Sequence, residues 1–328
     1  MDLLTVSDKG LYCARGGFYI DPWQPVDRAV LTHAHADHAR PGSAHYLAAE
    51  PSAPVLRHRL GVAPQTLRYG EKLRLGDVDI SLHPSGHLLG AAQVRLEADG
   101  QVWVVSGDYK RAADPTCAAF EPLRCHVFVT EATFALPIYR WPPPSQVAQD
   151  IFGWWEANRA AGRASVLFCY ALGKAQRILA ELAVFTDRSV FVHGAIDVVC
   201  GLYREAGVAM LPTTKVTETE KGRVFVGELV LAPVAAQNTK WLRRIGDYES
   251  AFASGWMQVR GERRRRALDR GFVLSDHADW PALLATVEET GAHRVITTHG
   301  RSEALARYLS ENGRTAEAWR TEFEGEAE

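Results

Sequence analysis

Six consecutive positions, His33-Ala34-His35-Ala36-Asp37-His38, contain four side chains able to ligate a metal ion. Imidazole nitrogens and carboxylate oxygens are ligands of zinc and related divalent cations, and two cations a few ångströms apart need such groups converging from several loops. The run directly follows an apolar stretch, residues 28–32 (RAVLT), which reads as a buried strand delivering ligands from its C-terminal end. In the turn after it, His33 and His35 can face one cation, Asp37 and His38 a second. One run supplies too few ligands, so others must come from elsewhere. Three more stand beside glycine just past apolar runs: His87 in Ser85-Gly86-His87, Asp108 in Ser106-Gly107-Asp108 and His299 in Thr298-His299-Gly300. The expected sites are therefore His33, His35, His87 and Asp108 for one ion, and Asp37, His38, Asp108 and His299 for the other. Asp108 is the expected bridge, because a carboxylate has two oxygens. The donor set points to zinc, with manganese as the alternative.

The elements that must hold these residues are legible as apolar runs. Residues 78–83 (VDISLH) alternate, 91–96 (AAQVRL) do so loosely, and 102–106 (VWVVS) is continuous; all three read as strands of one sheet, with 127–130 (VFVT) another strand. Trp141-Pro142-Pro143-Pro144-Ser145 is the clearest break, since proline removes donors and disfavours helix in the residue before it. A helix capped by Ser145 is expected to follow, to about residue 160. Residues 166–170, a helix over 173–184 and residues 189–193 then give the β-α-β alternation of a small parallel sheet. Short strands return at 271–274 and 294–297, with a helix over 281–290 between them.

Composition narrows the class. A chain of 328 residues with 47% hydrophobic and 23% charged residues is that of a globular protein of one large domain or two smaller ones. It shows no apolar run of about 18 residues, hence no expected membrane span, and no basic-then-apolar leader; a cytoplasmic location is the expectation. The five cysteines lack C-x-x-C spacing and read as buried small side chains rather than a disulfide framework or a thiolate zinc site. Net charge is −2, but residues 145–266 hold 17 Lys and Arg against 12 Asp and Glu. The acidic remainder carries the metal-ligand candidates, and the basic stretch could hold a polyanion.

Taken in order, H-x-H-x-D-H, Ser85-Gly86-His87, Ser106-Gly107-Asp108, Thr130-Glu131-Ala132-Thr133-Phe134, a long insertion, Ser275-Asp276-His277-Ala278-Asp279 and Thr298-His299-Gly300 resemble the β-CASP nucleases of the metallo-β-lactamase superfamily. That group includes the pre-mRNA 3′-end cleavage endonuclease, ribonuclease J and the repair nuclease Artemis. At this length the match is nearest the compact bacterial DNA ligase-associated exonucleases. The resemblance implies an α/β fold: an αβ/βα sandwich over residues 1–140 and 267–328, interrupted by a β-CASP cap over 141–266. It also implies catalytic roles for Asp37, Glu131 and His277, with Glu131 orienting a His277 that protonates a leaving oxygen. By chemistry alone, Glu131, Asp276 and Asp279 read equally as surface charges.

Inside the insertion, residues 170–177 (YALGKAQR) resemble the family's turn at a helix start, where backbone amides and Lys174 and Arg177 would meet phosphate. No G-x-x-x-x-G-K-[ST] motif is present, so nucleotide hydrolysis is not implied. The block Arg263-Arg264-Arg265-Arg266 reads either as a solvated face or as a contact to a nucleic-acid backbone. His193 and the other histidines without a motif read as structural. The expected function is metal-dependent hydrolysis of DNA phosphodiester bonds by an exonuclease, with DNA ligase or helicase as partners implied by the resemblance. An RNA-processing nuclease is the alternative, and a small-molecule hydrolase a more distant one.

Overall fold

Burial on one face or on both decides how these runs fold. The computed structural model describes residues 2–259 and 268–322. The chain divides into two compact units, one from Met1–Ala113, Cys117–Arg140 and His277–Ala327, the other from Asp114–Thr116 and Trp141–Asp276.

The first unit holds two sheets. One has six strands in chain order: Thr5–Val6, Leu11–Cys13, Phe18–Ile20, Arg28–Val30, His45–Ala49 and Gln65–Leu67. The other has seven, in the order Thr315–Ala318, Arg294–Thr298, Val127–Glu131, Gln101–Val105, Ala92–Ala98, Val78–Pro84 and Lys72–Leu75. One apolar cluster draws on both sheets: Phe18, Ile20, Val30 and Leu47 meet Ile80, Val94, Leu96, Val105, Val129 and Ile296. The alternate residues Val104, Phe128 and Val295 point the other way, onto Leu283 and Val287 of helix Trp280–Thr290 and Leu305 and Leu309 of helix Ser302–Glu311. Strands buried on both faces lose their polar alternation, which is why 102–106 and 127–130 read as continuous apolar runs. Gln101–Val105, Val127–Glu131 and Arg294–Thr298 are mutually parallel, so their C-terminal ends share one edge.

The second unit is a six-stranded parallel sheet, ordered Thr213–Lys215, Val190–Val192, Leu229–Ala232, Ala164–Phe168, Tyr248–Ala253 and Arg270–Phe272. Helices Pro144–Ala160, Lys174–Leu182 and Gly194–Glu205 cover one face through Ile151, Trp155, Leu179 and Ile196. On the other face Val166, Phe168, Val230 and Phe252 pack against Phe225, Leu242, Ile245 and Met257 from irregular segments.

Two expectations need correction. The Ser145 hydroxyl does not cap the helix: the cap position is Pro143, with no side-chain cap and proline in the first turn, where a missing N–H costs nothing. The boundary expected at residue 267 falls at His277, because Arg270–Phe272 pairs with Ala251–Ala253 and extends the second unit's sheet. No helix among the described residues is long and apolar enough to cross a membrane.

Trp155 is fully buried in the second unit, and its indole N–H donates to the Gly227 carbonyl at 3.0 Å. Trp155→Ala should destabilise the protein by about 3–5 kcal/mol through the cavity left behind. Urea unfolding checks this; a loss below about 1 kcal/mol contradicts the packing described.

Candidate metal centre

The ligand candidates lie where strands of the first unit end. His33 follows Arg28–Val30, and the next residues form a turn in which the amides of His38 and Ala39 donate to the His35 carbonyl. His87 follows Val78–Pro84, Asp108 follows Gln101–Val105, Glu131 ends its own strand, and His299 follows Arg294–Thr298. Gly107 is required by close approach. Its φ is +55°, and a Cβ there would sit 2.6 Å from the Thr32 Cβ. His299 itself has φ +28°, a conformation disfavoured for a residue with a Cβ and held by the elements around it.

His33, His35, His87 and Asp108 form one group whose ligand atoms lie within 4.8 Å of one another, and His38, Asp108 and His299 form another. The His35 Nδ1 is 3.2 Å from the His33 Nε2 and 3.1 Å from the His87 Nε2. The Asp108 Oδ2 is 3.5, 3.6 and 3.8 Å from the Nε2 atoms of His33, His38 and His87, while its Oδ1 is 2.9 Å from the His299 Nε2. Asp37 Oδ2 is 3.6 Å from the His38 Nε2; it is buried and accepts no hydrogen bond among the described residues.

Partners outside this ring orient the imidazoles. Thr32 Oγ1 donates to Asp21, so it can only accept from the His33 Nδ1 at 3.0 Å. Thr298 Oγ1 donates to the Thr130 carbonyl and accepts from the His299 Nδ1 at 3.0 Å. The His38 Nδ1 donates to Asp21 Oδ2 at 2.7 Å. With protons assigned from these bonds, the Nε2 atoms of His33, His38 and His299 turn lone pairs inward, onto each other and onto carboxylate oxygens. Lone pairs facing lone pairs in a buried site need a positive charge among them, and a divalent cation fits that need. Without one, protons must serve. Burial alone would lower the His38 pKa, yet Asp37, Asp108 and Asp21 raise it to about 10. Burial pushes His33 well below its ordinary value, helped by the nearby His38 charge. Burial also opposes charge on Asp108, but the surrounding imidazoles, His38 first, hold its carboxyl well below the usual carboxylate range.

Glu131 and His277 lie beside this ring. The His277 Nδ1 is 2.8 Å from Glu131 Oε2 and 4.0 Å from Asp108 Oδ2, and Glu131 Oε1 accepts from the Tyr109 amide at 2.7 Å. Neither is a surface charge: Glu131 is 1% and His277 2% exposed. Asp279 is the N-cap of helix Trp280–Thr290, accepting from the Ala282 amide at 3.0 Å.

Lys174 and Arg177 are not presented to solvent, which corrects the phosphate-binding expectation for them. Both are buried in the second unit, Lys174 donating to the Leu274 carbonyl at 2.8 Å and pairing with Asp276 at 3.1 Å. Arg177 pairs with Glu181, Asp276 and Asp114. A cation enclosed by three carboxylates has no charge to spare for a ligand. The block Arg263 to Arg266 lies outside the described residues. His193 caps helix Gly194–Glu205 by accepting from the Ala195 amide.

Asp21 is the residue that sequence reading missed. Asp21-Pro22 looks like turn punctuation, and a carboxylate acting through another ligand carries no spacing signature of its own.

The chain is 33% identical over 318 residues to a protein from Opitutus terrae named as a probable DNA ligase, covering 94% of this chain. It is 27% and 26% identical over 117 residues to proteins named Endoribonuclease YSH1 from Yarrowia lipolytica and Candida albicans, covering 35% of this chain. These similarities support the metallo-β-lactamase/β-CASP-related nuclease family for this chain. It spans 30% of the length of the Opitutus terrae protein and 14% and 13% of the two others. No protein-family signature matches it. A solved structure of a protein of unknown function from Enterococcus faecalis superposes with TM-score 0.59 at 11% identity, over 90% of this chain and 79% of that one, a likeness of fold alone. The histidine and aspartate clusters of this chain could bind metal ions.

Asp21→Asn keeps the shape of the side chain but removes the carboxylate that fixes His38 and Thr32. It should weaken zinc or manganese binding by about 10–100-fold, as loss of an orienting partner does. Isothermal titration of the metal-stripped protein measures this; unchanged affinity sinks the role.

Proposed function

We propose that the chain is a two-metal phosphodiesterase that hydrolyses DNA from an end, in partnership with a DNA ligase. The observation that carries this is the shared Asp108, one oxygen toward His33, His38 and His87, the other toward His299. We read His33, His35, His87 and Asp108 as one site and Asp37, His38, Asp108 and His299 as the second, holding zinc or alternatively manganese. Divalent cations there would supply Lewis-acid activation of water and neutralise charge on a phosphate. The chain's own residues do the rest. Asp21 and Thr32 hold His38 and His33 in register. Glu131 fixes the His277 ring so that it can pass a proton to the departing 3′-oxygen.

The fold reading goes with this. We take the first unit as the αβ/βα sandwich of the superfamily and the insertion over 141–276 as its β-CASP cap. A DNA substrate and a ligase partner are favoured by the relative named as a DNA ligase, to which nearly the whole chain aligns. RNA is the second reading, favoured by the two relatives named endoribonucleases.

Three measurements test the proposal. End-labelled single- and double-stranded DNA and RNA, incubated with the zinc- or manganese-loaded protein, should show DNA shortened from an end; RNA cut while DNA is spared reverses the substrate assignment. Metal analysis should find two ions per chain and essentially none in Asp108→Ala. His277→Ala should keep both ions and cleave about 10²–10⁴-fold more slowly, the range for a lost general acid. The same variant should be far less impaired on a nitrophenyl phosphodiester, whose leaving group needs little protonation. Equal impairment on both substrates removes the acid role, and loss of an ion in this variant makes His277 a ligand.

A further inference from the structure

The second unit's sheet changes winding direction between two neighbouring strands. Ala164–Phe168 leads through helix Lys174–Leu182 to Val190–Val192 on one side. Its neighbour Leu229–Ala232 leads through residues 233–247 to Tyr248–Ala253 on the other side. The two connections leave over opposite faces. In open parallel sheets the crevice outside the C-terminal ends of such a strand pair is where ligands bind.

The connection leaving Ala232 carries a distinctive turn there, Lys240-Trp241-Leu242-Arg243-Arg244-Ile245. Leu242 and Ile245 are buried in the core below and fix the turn, while Lys240, Arg243 and Arg244 are exposed. None of these three side chains forms a hydrogen bond or ion pair among the described residues. Arg163, Arg188 and Arg223 of the same unit, by contrast, pair with Glu249, Glu156 and Glu228. Trp241 stands edge-on to His193, ring centroids 5.0 Å apart, which sets the turn beside the N-terminus of helix Gly194–Glu205. The indole N–H of Trp241 is buried and has no hydrogen-bond partner among the described residues. Asp247 is the nearest exposed acid in sequence.

We propose that Lys240, Arg243 and Arg244, presented on this turn, contact the phosphodiester backbone of a single-stranded nucleic acid. The assignment rests on the nuclease reading above and gives it a substrate-binding surface, in place of the buried Lys174 and Arg177. Three cations on an anchored turn, held with no carboxylate across from them, suit a polyanion; the helix N-terminus beside them adds partial positive charge. The adjoining indole and imidazole suit a strand whose bases are unpaired.

The test uses the metal-loaded protein and a hydrolysis-resistant phosphorothioate single strand, with affinity read by fluorescence anisotropy across a salt series. The variant Lys240→Gln/Arg243→Gln/Arg244→Gln should bind at least about tenfold more weakly, and its log–log salt slope should be shallower by about 2, near 0.7 for each lost contact. Its hydrolysis of a nitrophenyl phosphodiester should be unchanged, since none of the three residues is among the metal-ligand candidates. Arg243→Lys/Arg244→Lys, which keeps the charge, should bind nearly as the parent does. Parent-like affinity and slope in the triple variant overturn the surface while leaving the nuclease reading in place, as does a charge-keeping variant as weak as the neutral one. A parent protein that binds no single strand but still hydrolyses the nitrophenyl diester overturns the surface alone; one that does neither overturns both readings.

Discussion

Asp108 is a buried carboxylate ringed by imidazoles, and that pairing sets the terms for the site around it. A charge taken out of water must be matched nearby, and His33, His38, His87, His277 and His299 all place a ring nitrogen within 4.0 Å of its two oxygens. The imidazoles, His38 first, hold the Asp108 carboxyl well below the usual carboxylate range, so a positive charge among them, whether protons or a metal ion, favours its ionised form. Asp21 repeats the pattern one layer out, where Thr32 and His38 both lean on one carboxylate. These are costly arrangements to bury, and the rings of His33, His38 and His299 are each held by a second bond on the far nitrogen.

The scaffold meets this demand by simple means. Parallel strands bring their C-terminal ends to one edge, so Asp108, Glu131 and His299 arrive together although they are far apart in sequence. The backbone must also pass very close to itself. At Gly107 no side chain can be accommodated against Thr32, and Gly300 packs onto the backbone of Ala132 and Thr133 in the same way. Glycine beside a ligand residue is thus a consequence of tight convergence.

What could be read from the sequence follows the strength of local patterns. Strands buried on both faces announced themselves as apolar runs, and ligand residues beside glycine at their ends were legible one by one. The short strands Thr5–Val6, Gln65–Leu67 and Thr213–Lys215 were not, since two or three residues are too few to show a period. Helix Ser302–Glu311 was missed because its apolar face is only Leu305, Ala306 and Leu309 among polar neighbours. Lys174 and Arg177 misled for a different reason. A basic residue at a helix start looks the same in sequence whether it meets solvent or a buried carboxylate, and the partners Asp114 and Asp276 are distant along the chain. Asp21 was illegible because it acts only through His38 and Thr32.

The first unit is assembled from segments on both sides of a long insertion, and this has a consequence for the order in which a ribosome would complete it. Strand Val127–Glu131 emerges early, but the strand it pairs with, Arg294–Thr298, follows only after the whole second unit has been made. Domains tend to fold as units during synthesis, N-terminal segments first. The second unit's sheet lies within one continuous stretch and can close on its own, while the first waits with an open edge at Val127–Glu131. His277 and His299 come with the segment that follows the second unit. A nascent chain therefore carries His33, His38 and Asp108 long before it carries the residues that complete their surroundings, and the site matures only once the segment that follows the second unit has been made.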